Sequence, residues 1–150
     1  MRRPFSSAAG RNRMPGRGDW FEMSKTPEEI IKILDLHERW LAGKPGGIRA
    51  DLTLESLAGS NMPGLNVKSA KLTGCDLSHA RLARANFQSC DLFSADFSGA
   101  DLTDADFTGA DLRGVKLRDA NLTRARLVDV DLRKGALMSG LETRLRGWLR

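Results

Sequence analysis

The side chains with intrinsic reactivity are few and scattered. His37, His79, Cys75 and Cys90 are the whole complement of histidine and cysteine in 150 residues. A zinc site needs three or four such ligands at close spacing, and no cluster of that kind occurs. Acid–base or nucleophilic catalysis needs complementary groups gathered in one cleft. Carboxylates are abundant, but Asp76, Asp91, Asp96, Asp101, Asp106 and Asp111 stand at multiples of five residues, a spacing that spreads charge instead of converging it. The chain is therefore expected to carry no catalytic residue, no metal and no cofactor, and to take no small-molecule ligand. Cys75 and Cys90 read as reduced, buried substitutes for alanine, and His79 as an exposed turn residue.

The interval of five belongs to a longer pattern. Eighteen consecutive blocks over residues 50–138 each hold an apolar residue in one register. It begins Leu52, Leu57, Met62, Val67 and continues through Leu72, Leu77, Leu82, Phe87, Leu92, Phe97, Leu102, Phe107, Leu112, Leu117, Leu122 and Leu127 to Leu132 and Leu137. Neither a helix, with its period of 3.6, nor a plain strand, with its period of 2, produces this. The residue two before each centre is usually small, as in Ala95, Ala100 and Ala105, and the one between is usually Asp or Asn. In extended chain the small residue and the centre share a face and the polar residue points away. Two further residues, such as Ser98 and Gly99, supply turn chemistry. Each block is a three-residue step followed by a corner, and such units bury their apolar face only by stacking: an all-β solenoid.

Runs such as Ala95-Asp96-Phe97-Ser98-Gly99-Ala100-Asp101-Leu102-Thr103-Asp104 resemble the pentapeptide-repeat proteins. The resemblance covers about three fifths of the chain and implies a right-handed quadrilateral β-helix with four blocks to a coil. Eighteen blocks then make about 4.5 coils, a rod roughly 20 Å tall at strand spacing. Centres twenty apart stack in columns. Phe97 enters opposite the Phe87 and Phe107 column, so the large rings are expected to face leucines across the bore and act as core filler. Glu55 and Leu65 occupy small inward positions and Pro63-Gly64 falls in the first coil, so that coil is expected to be distorted, with Glu55 reaching solvent or a partner.

Helical segments flank the repeat, and N- and C-terminal capping helices are expected. Thr26-Pro27-Glu28-Glu29 fits a capping box with proline at the first helical position. Ile30, Ile33, Leu34, Leu36, His37, Trp40 and Leu41 follow on one face, and the glycines and proline of residues 43–47 end the helix. Residues 26–49 thus form an N-terminal cap, in which His37 is expected to be packed and hydrogen-bonded. A leader containing His37, Trp40, Leu41, Gly43, Gly46 and Gly47 is similar to one found before the first repeat in members of the family, including phage proteins. In residues 139–150, Leu141, Leu145, Trp148 and Leu149 recur at helical spacing. That segment is either a lid or a homodimer contact.

Residues 1–25 differ in kind. They are rich in Arg, Gly, Ser and Pro, hold six basic and two acidic side chains, and are expected to be disordered. The segment could touch phosphates through Arg11, Arg13 and Arg17, or serve as a targeting peptide, and Met14 and Met23 are alternative starts.

The repeat from Ala50 to Leu137 carries eleven basic and twelve acidic side chains, and so is nearly neutral. This bears on an activity the resemblance implies, mimicry of B-form DNA to bind DNA gyrase or another topoisomerase. Mimicry needs a continuous acidic surface, and Lys71, Arg113 and Arg133 interrupt Asp91, Asp111 and Asp131. Gyrase binding is therefore the alternative, with nucleic-acid association through the basic tail as a further one. The reading favoured is a non-catalytic, cytoplasmic protein–protein interaction module of bacterial or phage setting, with an unknown protein partner and no membrane span. Phe93, an aromatic ring at a normally polar corner, and Leu145 and Trp148 are its candidate contacts. Phe93 has a competing explanation, the covering of a neighbouring coil.

Overall fold

A three-residue extended step has room for one bridge to the step above and one to the step below, and the chain forms such bridges throughout. The computed structural model describes residues 24–133. Parallel bridges join residues twenty apart, from Asp51 with Lys71 to Asp111 with Asp131. Four blocks therefore close one turn of the coil, and the outward polar residue is always the bridging one. The Asp91 amide reaches back to the Ala70 carbonyl at 3.1 Å, while the Leu92 amide reaches forward to Asp111 at 3.0 Å.

The corners are built alike. The Ala95 amide donates to the Leu92 carbonyl at 2.9 Å, and Ala105 to Leu102 at 3.0 Å. The third residue of each turn takes a positive φ, 58° at Asp104 and 69° at Gly99. Its predecessor does not, which marks type II turns. Non-glycine residues pay roughly 1 kcal/mol to sit there, yet His79 and Arg84 do so. What offsets the cost is a ladder bond from the strained residue itself: the Arg84 amide donates to Thr103 at 2.8 Å. The amide before it is met by the preceding Asp or Asn. Asp96 Oδ1 accepts from Ser98 N at 2.8 Å, and Asp106 Oδ1 accepts from Thr108 N at 2.9 Å and Thr108 Oγ1 at 2.6 Å. This local bond explains why the position selects a short carboxylate or amide. At Asp101 the Thr103 hydroxyl and amide hold the carboxyl below its ordinary range.

The centres from Leu72 to Leu127 are buried and form one cluster with the small residues. The aromatic packing differs from the expectation that rings would face leucines. Phe87 and Phe107 stack at 5.0 Å with planes 7° apart, and Phe97 meets both edge-on at 5.4 and 5.7 Å. Phe97 projects between its neighbours' levels, so the three rings meet in the bore in the offset geometry their quadrupoles favour. Cys75 and Cys90 are free and buried. Burial pushes each thiol up to about 12, and Cys90 Sγ donates to the Val67 carbonyl at 2.9 Å.

The first coil is not distorted. Asn61 bridges Arg81, and the Gly64 amide bonds Ala83 at 2.8 Å, because Pro63 occupies a turn position that needs no donor. Glu55 stays buried and accepts the Lys25 amide at 2.8 Å and its ammonium at 3.2 Å. Ser60 Oγ is buried with no hydrogen-bond partner among the described residues.

Helix α1, Pro27–Leu41, lies against this coil. Its capping box is complete, with Thr26 Oγ1 accepting from Glu29 N at 3.2 Å and Glu29 Oε2 accepting from Thr26 N at 2.7 Å. Ile30 and His37 are buried. His37 Nδ1 accepts the Ala50 amide at 3.0 Å, so Nε2 carries the proton and donates to the Lys68 carbonyl at 2.9 Å. Trp40 stacks on the imidazole at 5.4 Å. Gly47 crosses behind the helix where an added Cβ would lie 2.3 Å from the Trp40 nitrogen, so only glycine permits the approach.

Two outcomes are expected. Leu102→Arg, at a fully buried centre, abolishes the cooperative unfolding transition followed by circular dichroism, whereas Thr103→Arg changes stability by less than about 1 kcal/mol. Arg113 and Arg133 already occupy that second position in other blocks and bond the same neighbouring carboxylate. Burial lowers the His37 pKa from 6.5, opposed by its bond to Lys68. The fold holds the neutral form, so its contribution is complete above pH 6.5 and declines as pH falls below that value. Denaturant midpoints measured across this range fall toward acid in the wild type, and His37→Gln removes the histidine-dependent part of the decline.

Candidate interaction surface

The coil has four sides whose outer rows are set by the block positions, so a surface is built from residues twenty apart. On the side that starts at Ala50, the row after the centres runs Thr53, Thr73, Phe93, Arg113 and Arg133. Phe93 remains 40 % exposed. Its amide is held by Asp91 Oδ1 at 3.2 Å, and the Arg113 guanidinium lies over its ring at 5.3 Å. That stacking is a cation–π contact between consecutive coils. It leaves Arg113 free to grip Asp111 with two nitrogens, at 2.9 and 2.7 Å, and to approach Asp131 at 3.8 Å. Arg133 pairs with Asp131 at 2.7 Å, and that bond holds the Asp131 carboxyl at about 2.

Two more apolar residues share this side. Leu54 occupies a positive-φ corner and is 73 % exposed. Its Cδ2 lies 2.6 Å from where a Cβ on Gly74 would stand, so the leucine rests on the glycine of the next coil. Ile48, at the entry to the coil, is 60 % exposed. Sequence reasoning singled out Phe93 but missed both of these. The available signal was Leu54 itself, a large apolar residue where turn chemistry calls for Gly, Ser or Asp.

Elsewhere the described surface is mostly polar, with Val128 an exposed apolar residue on another side and Trp40 partly exposed on α1, and some of its charges are paired within the molecule. Arg124 holds Asp104 at 2.7 and 3.1 Å, the next coil's arginine reaching up to the carboxylate. Gln88 Nε2 donates to Asp106 at 2.6 Å. His79 is exposed at its corner, with its imidazole over Gly99, where a Cβ would come within 2.5 Å of Nδ1. Among the described residues no three His, Cys, Asp or Glu side chains are placed to hold a metal, and no helix is long and apolar enough to cross a membrane. Leu145 and Trp148, the other candidate contacts, lie outside the described residues, as does the C-terminal helix to which they were assigned.

Comparison with known proteins agrees with this geometry. A family model described as pentapeptide repeats matches in eight copies, over residues 50–88, 60–99, 70–109 and 100–135. Among solved structures, the chain is similar to Rfr23, a pentapeptide repeat protein of the cyanobacterium Cyanothece 51142. Identity is 28% and the TM-score 0.55, with 56% of this chain and 57% of Rfr23 covered, so the chain spans little more than half that protein's length. It is also similar to alr5209, a pentapeptide repeat protein from Nostoc Pcc 7120, at 30% identity and a TM-score of 0.35, covering 62% of this chain and 73% of that one. QnrB1, a plasmid-mediated fluoroquinolone resistance protein, matches at 19% identity and a TM-score of 0.28, covering 68% and 66%. No curated protein matches the chain. Pentapeptide-repeat proteins form right-handed quadrilateral β-helices. With its repeats matched over more than half its length and its coils bridged every twenty residues, the chain belongs to the pentapeptide-repeat family.

Proposed function

We propose that the protein is a non-catalytic interaction module, a short rigid rod that presents the side bearing Phe93 to a protein partner. The observation that carries this reading is the exposed ring itself. Phe93 stands at a position that its own side otherwise gives to Thr53, Thr73, Arg113 and Arg133, and it is braced from below by Arg113. Part of the ring covers the next coil through that stack, and the remaining exposed area is what a partner would bury. Aromatic residues braced by arginine are frequent anchors of protein interfaces.

The rod in this reading has about 4.5 coils, from eighteen blocks at four per turn. The α1 helix is the lid of its N-terminal end; residues 139–150, read from the sequence as a second lid or a homodimer contact, lie outside the described residues. The two unpaired buried thiols support a reducing, cytoplasmic setting.

DNA mimicry with gyrase as target is the alternative, and the surface chemistry favours it less. Lys71 lies between Asp51 and Asp91 in the first row, while Arg113 and Arg133 fold back onto Asp111 and Asp131. On this side the carboxylates Asp111 and Asp131 are thus neutralised within the molecule. A nucleic-acid adaptor acting through the basic N-terminal tail rests on residues outside those described.

Parallel affinity captures from nuclease-treated host lysate, with wild-type and Phe93→Ser baits, test the reading. A stoichiometric partner is expected whose affinity drops by about 2 kcal/mol on the substitution, as for an interface anchor, with the melting profile of the bait preserved. Equal recovery by both baits sinks the proposed surface. Inhibition of gyrase supercoiling by the purified wild-type protein selects the DNA-mimic alternative instead.

A further inference from the structure

Deeper in the coil, a corner closes with two backbone bonds. At the corner that leads into Ala70, the Ala70 amide donates to the Val67 carbonyl at 2.9 Å, and the Ser69 amide donates to the Gln88 carbonyl of the next coil at 2.8 Å. Twenty residues earlier the chain is only arriving from α1, and the equivalent acceptor for the Ala50 amide would be the carbonyl of Gly47. Ala50 N donates instead to His37 Nδ1 at 3.0 Å. The Lys68 carbonyl is the counterpart of Gln88 one coil back, where no earlier coil offers it an amide, and it accepts from His37 Nε2 at 2.9 Å. One imidazole thus supplies both the acceptor and the donor of a missing corner.

Only neutral imidazole can fill both roles. A proton on Nδ1 sets that nitrogen, now a donor, against another donor, the buried Ala50 amide, and puts a cation on a side chain that is 0 % exposed. Burial is the first influence on the ring and lowers its pKa. The bond to the Lys68 carbonyl on the coil and the Glu38 carboxylate on α1 raise it, while the Arg49 guanidinium on the entering chain lowers it. Arg49 is itself fixed, with Nε donating to the Ser69 carbonyl at 2.6 Å. The coil below needs none of these contacts for its own ladder: Leu52 bonds Lys71 at 2.8 Å and Leu57 bonds Asp76 at 2.7 Å.

We propose that His37 is a proton-operated latch, which while neutral completes the corner and holds α1 over the first coil, and on taking up a proton lets α1 leave a coil that stays wound. Release withdraws Ile30, Ile33 and Leu34 from the apolar end of the bore, against which they pack. The latch works at the end of the rod, so it is independent of Phe93 and of the partner assigned to that side.

Native-state hydrogen exchange, followed by NMR on the full chain between pH 7.5 and 5.0, tests the latch above the range in which carboxylates ordinarily protonate. In the released helix the imidazole regains its ordinary pKa of 6.5, so each pH unit below that value favours release by up to about tenfold. The expected result is a fall of about thirtyfold in the protection of the Leu34 and His37 amides, level above pH 6.5 and declining below it. The Leu92 and Leu102 amides, bonded between coils at 3.0 and 2.8 Å, keep their protection. In His37→Gln, whose side chain offers a neutral acceptor and donor at every pH, α1 is equally protected throughout. Flat α1 protection in the wild type overturns the proposal. So does a fall shared by Leu92 and Leu102, which makes cap and coil one unit, and so does a fall that persists in His37→Gln. If that variant does not hold α1 even at pH 7.5, the wild-type series decides alone, and a break displaced from pH 6.5 overturns the latch.

Discussion

Every side of this molecule depends on one pairing: an outward residue whose amide bonds the coil behind, followed by an inward residue whose amide bonds the coil ahead. The pairing fixes the polar row and the apolar row in a single step, because the two residues are neighbours on opposite faces of extended chain. It also fixes the corner. The turn must bring the next step round to the same register within two residues, and a left-handed φ at the second of them does so. Ten non-glycine residues accept that conformation, and seven of them, from Leu54 to Asp104, have their amides engaged between coils within the described residues. The fold thus spreads a small backbone cost evenly and recovers it locally, coil by coil.

The five-residue register was legible in the sequence because each block is a complete structural unit, with inward, outward and turn positions that tolerate different residue types. The number of sides was not, since no residue in a block specifies how many blocks close a turn; that came from resemblance, and the bridges at twenty residues show it. Packing across the bore was read less well. The distance across a solenoid and the height of each ring are properties of the closed coil, so Phe97 meets Phe87 and Phe107 where a side-by-side reading set rings against leucines. The sound first coil around Pro63 has a similar cause: the unneeded donor becomes evident only once the turn bonds are drawn. On the surface, Phe93 stood out by type, while Ile48 and Leu54 matter through their placement at a junction and a corner.

The outward carboxylates show how a charge count and a charge surface differ. Most of the Asp residues preceding the centres spend an oxygen on a corner amide two residues on, and Asp111 and Asp131 are gripped besides by the arginine of their own block. Such exposed ion pairs add little to stability, on the order of 0–1 kcal/mol each. Their effect is on the field outside the molecule, which they flatten. A partner approaching the rod meets short-range features, a ring, a leucine, a flat hydrogen-bonded side, and gains little from long-range attraction.

The three phenylalanines give the column an uneven grain. In a stack where each layer touches only the layers beside it, unfolding is a matter of where the weakest junction lies. Phe87, Phe97 and Phe107 tie successive layers near the middle of the described coil through one another's rings, whereas the centres of the outer layers are leucine, methionine and valine, with no ring among them. Loss of structure should therefore start at the tips and stall at the aromatic knot, so that a nick or truncation at either end shortens the column without dissolving its centre.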